Sequence, residues 1–564
     1  ALIAAEVEKQ IKDAGITALT TPLVRELVGA KLVEHGFVDE SEQQRRLGVP
    51  LYDASRIIRG ATPETVGSDP SRTDQALARA VKKEYALTQV FSHQITQAHL
   101  SGEIHLNGLA FVDRLHSGEH ALAWLAVNGI RLPGGVIFAN PPNHPETLLA
   151  QMVKYSDILD ALFSDSIGWY AFNYMAAPFV CALTDKELRQ FAEMLLYECA
   201  YRRASLADGR PPMRVSLFWN APQEMAETEA IGPGGVKDGK TYKQHELTAR
   251  RLAWALLDVF QGGGVNDADF PAPVMDVVLD ETVFQTFEGA DYLRHAAAAA
   301  LRRPHVRFVL ACPEGDKLPV MRPFWFPRKV VWHRIALNLP RAAISGEGVE
   351  GFFVTLDQLC RLAVAAHVQK RDFMELLLDP LGNAPLAALA LECDGKPCVS
   401  SADGIFTVDV DGLFECAQVI HGTGMAARDE RLRFMKSVLT HLTGTLGTLA
   451  DAEGIRCILA ANTNAAISRR FATLDAHIFP RLVEKIVKTD PQSQAMTYTT
   501  GVALSADAGM SPVDIARSEG ALHQALGEQQ FSRLSWPLKD SSEKALSDML
   551  KMLLRQTACG GIAL

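Results

Sequence analysis

The sequence lacks several features that would assign a chain to a class at once. Its nine cysteines include no Cys-x-x-Cys pair, which excludes a zinc ribbon of the usual ligand spacing within this stretch. The odd cysteine count favours reduced thiols in a cytoplasmic protein over a disulfide framework. Neither a signal peptide nor an apolar run of about 18 residues is visible, so we expect no membrane span.

The sequence also lacks any concentration of positive charge. The formal net charge is −10 over 564 residues, and the basic residues are dispersed. This distribution argues against binding to nucleic acid or to a membrane surface. An anionic ligand would therefore need a local positive site. Apolar residues make up 48% of the chain and charged residues 22%, which is ordinary for a globular protein, and the length predicts one large domain with appendages.

Residues 1–60 have a helical pattern. Apolar residues recur at helical spacing from Ile3 onward with no N-terminal cap, which indicates a fragment that begins inside a domain. A Thr-Pro start at Thr21 predicts a second helix that ends near Gly36. Residues 61–75 are polar and contain prolines and glycine, which predicts a linker.

From residue 76 onward, helical stretches alternate with short apolar runs. Residues 185–204 and 243–260 have helical patterns. The runs at 215–219, 274–279 and 305–310 are typical of buried strands. This alternation predicts an α/β architecture.

Residues 20–36, residues 91–109 and four later segments resemble the class III (anaerobic) ribonucleotide reductases, members of the glycyl radical enzyme superfamily. Residues 20–36 are similar to the closing helices of an ATP-cone, a small helical nucleotide sensor, although a plain helical hairpin would give the same pattern. Residues 91–109 resemble the family's segment near the barrel entrance. Further family-like segments follow in the family's order: Asn338–Arg341, Gly412–Glu415, Arg469–Asp475 and Tyr498–Gly501.

The resemblance implies a ten-stranded α/β barrel over residues 76–564, with residues 1–60 as the C-terminal part of an ATP-cone-like domain. It also implies a homodimer, a nucleotide substrate, and ATP or dATP as possible effectors. A radical-SAM activating enzyme would install a glycyl radical on the protein. These properties are expectations drawn from the family.

Three residues are the candidates for the active site. Cys312 follows an apolar run and precedes the turn-forming Pro313-Glu-Gly315, as the family's thiyl-forming cysteine does. The resemblance gives Asn338 a place beside the substrate, where an amide suits sugar hydroxyls; its alternative role is to cap the strand end. Glu415 is a candidate proton acceptor, with an ion pair to an arginine as the alternative.

Two departures from the family leave the reaction open. The family has a second, reducing cysteine shortly after the segment equivalent to residues 104–110, but residues 111–132 contain none. His116 and His120 lie there instead, and histidine cannot replace a redox thiol. We therefore keep three functions: a ribonucleoside triphosphate reductase, a glycyl radical enzyme with a non-nucleotide substrate that reacts by elimination or rearrangement, and an inactive nucleotide-binding protein.

The second departure concerns the end of the chain. The family ends with a zinc-bearing segment and an Arg-x-x-Gly-Tyr radical loop, and neither pattern is present. Gly560 or Gly561 would be the radical site if the terminal Ala-Cys-Gly-Gly is a divergent loop. We favour the alternative that residues 543–564 form a helix and the start of a strand, with the radical domain beyond them. No zinc or other metal site is expected, and His99 and His105 are assigned to fold-stabilising hydrogen bonds.

Overall fold

The protein is described by a computed structural model in two compact units, Ala1–Val112 and Asp113–Leu564. The described residues are 2–16, 21–38, 41, 49, 51–62, 70–205, 213–311, 327, 329–378, 384–393, 395–424, 428–489, 495–504, 510–527, 530–533 and 542–563.

The first unit is mostly helical. Its helices are α1 (Leu2–Asp13), α2 (Thr21–Glu34), α3 (Leu51–Ile58), α4 (Pro70–Tyr85) and α5 (His93–Ser101). The helical pattern from Ile3 and the Thr-Pro helix start are confirmed. Gly36 follows α2 with a φ of 83°, a left-handed conformation that favours glycine and ends a helix.

The predicted linker at residues 61–75 is wrong in its last part. Helix α4 begins at Pro70, because proline at the first helical position loses no hydrogen bond and its fixed φ suits the helix. Residues 63–69 lie outside the described residues. After α5 the unit adds a strand, Ile104–Leu106. His99 of α5 contacts this strand, and its ring Nδ1 accepts a hydrogen bond from the Leu106 N–H at 3.2 Å, in line with the structural role expected of that histidine.

The second unit is an α/β barrel. Ten of its strands join in one sheet. These strands are β1 (Leu115–Ala121), β2 (Phe163–Tyr170), β3 (Arg214–Phe218), β4 (Val274–Leu279), β5 (Val306–Leu310), β6 (Lys329–Asn338), β7 (Ile405–Asp411), β8 (Arg456–Ala461), β9 (Ser532–Arg533) and β10 (Gly561–Ala563). The runs at 215–219, 274–279 and 305–310 are thus confirmed as β3, β4 and β5 to within a residue.

The barrel consists of two half-barrels of opposite direction. Strands β1 to β5 are mutually parallel in chain order. Strands β6, β7 and β8 are parallel to one another, and β9 is parallel to β10. The halves meet in antiparallel pairs, β1 with β6 and β5 with β10. Ahead of β9 in the chain, the Gly527 N–H donates to the Leu459 carbonyl of β8 at 2.8 Å. The predicted ten-stranded α/β barrel is confirmed.

Helices surround the strands of the second unit. They are α6 (Leu122–Asn128), α7 (Pro145–Leu162), α8 (Phe172–Val180), α9 (Asp185–Ser205), α10 (Gln223–Ala226), α11 (Glu246–Gly262), α12 (Phe287–Arg302), α13 (Leu339–Ser345), α14 (Val349–Leu377), α15 (Leu413–His421), α16 (Arg428–Ala452), α17 (Ala465–Ile478), α18 (Pro480–Ile486), α19 (Pro512–His523) and α20 (Glu543–Gln556). Two-stranded hairpins lie outside the barrel, and their strand pairs are Ile130–Leu132 with Val136–Ala139, Glu229–Ile231 with Lys237–Thr241, Glu392–Cys393 with Lys396–Pro397, and Lys488–Thr489 with Met496–Thr497.

Each barrel strand has one face toward the helices and one toward the barrel interior, because successive side chains alternate. On β6, His333 contacts His367 of α14, with 3.2 Å between their Nδ1 atoms, so Arg334, Ala336 and Asn338 lie on the interior face. On β2, Trp169 donates to the Ser156 hydroxyl of α7 at 3.1 Å, so Gly168 faces the interior.

One helix within the described ranges, α14, is long and apolar enough to cross a membrane by length and composition alone. Its face with Phe352, Leu356, Ala363 and His367 is fully buried. A core helix passes the same test when it packs against a sheet, as α14 does through His367.

Candidate active site

The second half-barrel brings polar side chains together where its strands end. Strand β6 ends at Asn338 and β7 at Asp411, and the two residues are partners in the strand register. Asn462 follows β8 directly, and its N–H donates to the Val410 carbonyl at 3.0 Å. Because the three strands are parallel, their carboxyl ends lie at one edge of the sheet. That edge is the usual position of ligand sites in α/β proteins.

Asn338 is fully buried, and both the oxygen and the nitrogen of its side-chain amide form hydrogen bonds. Its carbonyl oxygen accepts from the Arg341 N–H at 3.1 Å and so caps α13. Its amide nitrogen donates to both carboxylate oxygens of Asp475, at 3.2 and 3.0 Å. The structure therefore shows the capping role that was the alternative for this residue. The substrate-binding role remains a prediction.

Asp475 organises this part of the site and was not singled out from the sequence. It lies on α17, and besides Asn338 it pairs with the Arg341 guanidinium, whose Nε is 2.6 Å from the Oδ1 atom. The Tyr498 hydroxyl donates to the other carboxylate oxygen at 2.8 Å. Burial raises the pKa of Asp475, while Arg341 and the hydrogen bonds lower it. A carboxylate with this many donors fixes the strand end rigidly.

Asp411 was also missed, although it lies one residue before the Gly412–Glu415 segment. Its Oδ1 atom accepts from Asn462 Nδ2 and Ser468 Oγ, both at 2.7 Å, and from the Gly501 N–H at 3.2 Å. Its Oδ2 atom is buried without a hydrogen-bond partner among the residues that the structure describes. Burial raises the pKa of Asp411 to about 7, so this carboxyl can hold a proton at neutral pH.

Glu415, the predicted proton acceptor, lies on α15 and is 1% exposed. Its Oε1 atom accepts from the N–H of Thr499 at 2.9 Å and from the Thr499 hydroxyl at 2.6 Å. Its catalytic role is not tested by this geometry. The contact nevertheless joins the Gly412–Glu415 segment to the Tyr498–Gly501 segment.

Gly412 explains why two of the family-like segments contain the residues they do. Its φ is 66°, and a Cβ atom built on it would lie 2.5 Å from the Cγ of Pro340. Only glycine allows this backbone conformation without strain and permits so close an approach. Gly412 and Pro340 thus seat the two segments against each other.

The end of the chain pairs with the strand that leads to Cys312. Strand β10 runs antiparallel to β5, with Gly561 opposite Val309, and the Gly560 carbonyl accepts from the Leu310 N–H at 2.9 Å. The helix and strand expected within residues 543–564 are confirmed as α20 and β10. Cys312 itself lies outside the described residues, two positions after Leu310 in the chain.

Strand β1 shows where the two histidines near the missing second cysteine lie. His120 is buried on the helix-facing side, 5.3 Å from the ring of Phe163 between centroids. Burial lowers its pKa to about 3, so it is neutral. His116 lies 3.9 Å from the Asp165 carboxylate. Among the described residues, no three His, Cys, Asp or Glu side chains form a group that could hold a metal ion.

The comparison with family models decides the assignment. The model of the anaerobic ribonucleoside-triphosphate reductases matches residues 64–564. The chain belongs to this family. It is an oxidoreductase of the ribonucleotide reductase type and a member of the glycyl radical enzymes, as the sequence resemblance indicated. No curated protein sequence matches the chain.

Solved structures show the same fold at low sequence identity. The anaerobic ribonucleotide reductase from Thermotoga maritima with dATP in its specificity site aligns with a TM-score of 0.72 at 14% identity, over 91% of this chain and 87% of that one. Its complex with dATP and CTP aligns with a TM-score of 0.69 at 14% identity, over 94% and 91%. The hydroxyproline dehydratase from Clostridioides difficile aligns with a TM-score of 0.55 at 9% identity, over 100% and 90%.

Proposed function

We propose that this reductase-family enzyme removes a hydrogen atom from a ribonucleotide with a thiyl radical on Cys312. In place of the separate radical domain that the sequence alone favoured, we also propose that Gly560 is the glycine that stores the radical between turnovers. The observation that carries the proposal is the hydrogen bond between Gly560 and Leu310. It joins the glycine to the strand whose end leads, two residues later, to Cys312.

The thiol at position 312 would give its hydrogen atom to the glycyl radical and then take one from a substrate carbon. Both steps are nearly balanced in energy, because an S–H bond and an activated C–H bond are of similar strength. At the neighbouring Gly561, a Cβ atom would lie 2.7 Å from the ring of Phe531, so that position of β10 has no room for a side chain.

The carboxyl groups at the strand ends would handle the substrate's hydroxyl protons. Asp411 has a pKa near neutrality, which is where a general acid or base is most effective. Glu415 lies four residues later and is held by Thr499. Asn338 would position the sugar through the Asp475 network that fixes its amide. ATP and dATP are the proposed effectors, a homodimer is the proposed assembly, and a radical-SAM enzyme is the proposed activating partner.

A second candidate function is supported by strand β1. Reduction of the sugar radical requires electrons, and residues 111–132 contain no cysteine that would supply them. Elimination of water from a hydroxylated substrate needs none, since the hydrogen atom taken by Cys312 returns to the product. The fold shared with the hydroxyproline dehydratase allows this chemistry on the same barrel. The first hydrogen abstraction is common to both functions.

Electron paramagnetic resonance tests the proposal. After anaerobic activation by a radical-SAM enzyme, the native chain should show a glycyl doublet, and Gly560→Ala should show none. Gly444→Ala is the matched control, because Gly444 lies on α16 with open space around it, and it should keep the doublet. Cys312→Ala should keep the doublet but lose turnover completely.

Two results would contradict the proposal. A doublet in Gly560→Ala would place the radical elsewhere, and turnover in Cys312→Ala would remove the thiyl from the mechanism. Product analysis with ribonucleoside triphosphates then separates the two functions. A deoxynucleotide product identifies a reductase, whereas its absence with a retained doublet favours the non-nucleotide substrate.

A further inference from the structure

The interior face of the first half-barrel carries charged side chains. Gly168 of β2 faces the interior, and a Cβ atom built on it would lie 3.8 Å from the Arg214 guanidinium and 3.9 Å from Glu119 Cγ. Arg214 and Glu119 are the register partners of Gly168 on β3 and β1. All three residues therefore face the same side of the sheet.

A second arginine lies on that face at β5. Arg307 and the fully buried Phe308 are successive residues of β5, so their side chains point to opposite faces of the sheet. The register partner of Arg307 on β4 is Asp276. The two side chains form a bidentate pair, with Nε to Oδ1 at 2.7 Å and an Nη atom to Oδ2 at 2.8 Å. Asp276 therefore neutralises Arg307.

Two further arginines lie on the same face of the sheet as Arg307. Arg533 of β9 and Arg307 are both register partners of Ala563 on β10. Arg214 lies two positions before Ser216 of β3, whose register partner is Asp276. Both positive charges lower the pKa of Arg307, although burial is the larger cause. Within the described ranges, neither Arg214 nor Arg533 forms an ion pair, in contrast with the Arg307–Asp276 pair. The Arg214 Nε atom is buried and has no hydrogen-bond partner among the described residues.

The cluster is both shaped and accessible. Phe531 lies over Arg307, with 4.4 Å between the guanidinium carbon and the ring centroid, and this stacking fixes the plane of the guanidinium. Arg533 is exposed, and the Arg307 side chain is 24% exposed, so a solute can reach the group. Because Asp276 neutralises Arg307, a bound anion would be attracted mainly by Arg214 and Arg533, and its charge would reduce the repulsion between the guanidinium groups.

We propose that Arg214, Arg307 and Arg533 form an anion-binding subsite inside the barrel that takes a phosphate or carboxylate group of the substrate. A guanidinium offers a planar fork of N–H donors that matches either oxyanion. The substrate assignment rests on the proposed function, whereas anion binding rests on the arginines alone. The overall charge of −10 makes such a local positive site necessary for an anionic substrate.

Calorimetric titration of the whole chain at low ionic strength tests the subsite, with tripolyphosphate in one arm and succinate in the other. We expect one saturable site per chain that weakens as salt is added, since screening reduces the attraction. Arg533→Gln should weaken binding about 10-fold or more, the effect of losing one charge-assisted hydrogen bond. Because Arg533 is exposed, this variant should fold normally.

Two further variants sharpen the result. Arg214→Lys keeps the charge but loses the fork and should bind more weakly than the native chain, though more tightly than Arg214→Gln. Arg294→Gln is the matched control. It removes an exposed arginine on α12 that pairs with Asp291, and it should bind the anion as the native chain does.

The arms also identify the substrate class. Arginine-dependent binding of tripolyphosphate supports a nucleotide, and arginine-dependent binding of succinate without tripolyphosphate supports a carboxylate substrate. Binding of neither anion, or binding that is unchanged in Arg533→Gln and Arg214→Gln, overturns the subsite. The glycyl doublet of the native chain is measured separately. Its absence would defeat the proposed function and leave the titration result standing.

Discussion

The two half-barrels are lined in contrasting ways. Among the residues that the structure describes, each has a bidentate ion pair between neighbouring parallel strands, Arg307 with Asp276 in the first half and Arg334 with Asp409 in the second. Beyond that pair, the first half leaves the Arg214 guanidinium without a described carboxylate partner. The second half instead surrounds Asp475 and Asp411 with donors.

The contrast teaches how a single sheet geometry can serve two purposes. A buried carboxylate that accepts several hydrogen bonds has a fixed position, and it holds the side chains that donate to it in fixed positions as well. A guanidinium without a described carboxylate partner can bind an anionic ligand in place of water. We therefore expect the second half-barrel to be the rigid side of the site and the first half-barrel to bind the anionic group of a ligand.

Removal of Asp475 should be the most damaging change. Asp475→Ala leaves the Arg341 guanidinium buried without its carboxylate and removes the acceptor of the Asn338 amide nitrogen and the Tyr498 hydroxyl. The loss should be about 3–5 kcal/mol of unfolding free energy, typical of a buried pair that is broken from one side. Urea denaturation measures it. Asp372→Ala, which removes an exposed partner of Arg371, is the control, and a loss for Asp475→Ala no larger than that of the control would contradict the rigid second half.

The two bidentate pairs should differ in strength. Asp409 has 4% side-chain exposure against 14% for Asp276, so the Arg334–Asp409 pair lies in a drier place than the Arg307–Asp276 pair. We expect Asp409→Ala to cost about 2–3 kcal/mol and Asp276→Ala about 1–2 kcal/mol, within the range for hydrogen bonds to charged groups. Thermal unfolding under identical conditions compares the two variants. Equal losses of unfolding free energy would contradict the expected difference between the half-barrels.

The pH dependence of stability should carry the signature of Asp411. Its pKa is about 7 in the folded chain against 3.8 for an unperturbed group. Between these values the folded state keeps a proton that the unfolded state has lost, so the contribution of Asp411 to stability falls as pH rises from 4 to 7. Asp411→Asn cannot ionise and should gain more than about 1 kcal/mol relative to the native chain over that interval. Urea denaturation at pH 4.5 and 7 measures the gain, and a constant difference between the two proteins would contradict the raised pKa.

A pair on the outer helices should matter least. Arg294→Ala on α12 removes an exposed i,i+3 ion pair with Asp291 and should change the unfolding free energy by less than about 0.5 kcal/mol. The same thermal unfolding experiment provides the baseline for the interior variants. A loss as large as that of Asp276→Ala would show that exposure does not separate interior pairs from surface pairs.

The sequence predicted some barrel strands closely and others poorly. Strand β4 was predicted with its observed bounds, because six mostly apolar residues are enclosed by Pro273 and Asp280. Strand β10 was expected within residues 543–564 but without bounds. Strand β9 has two residues and owes its conformation to neighbours far away in the chain, so no local pattern predicts it.

The site was predicted in its segments but not in its connections. Asn338 and Glu415 are buried at strand and helix ends, as expected of site residues, yet their partners Asp475 and Thr499 lie 137 and 84 residues away. One signal was available for Asp409 and Asp411. They lie at alternate positions of the mostly apolar strand β7, so both side chains face the same side of the sheet. Burial of two carboxylates costs free energy unless they have hydrogen-bond or ion-pair partners, so the pattern indicates a polar site on that face.

The pairing of β10 with β5 has a consequence for how the molecule is assembled. Gly561 lies opposite Val309, and 561 − 309 = 252 positions separate them, so β5 gains this neighbour only after those residues have been synthesised. Until then, the outer rim of β5 carries unsatisfied peptide groups that could recruit a strand from another molecule. Slow closure is typical of such distant pairing, and we expect overexpressed chains to aggregate through this rim unless synthesis is slowed or a chaperone covers it.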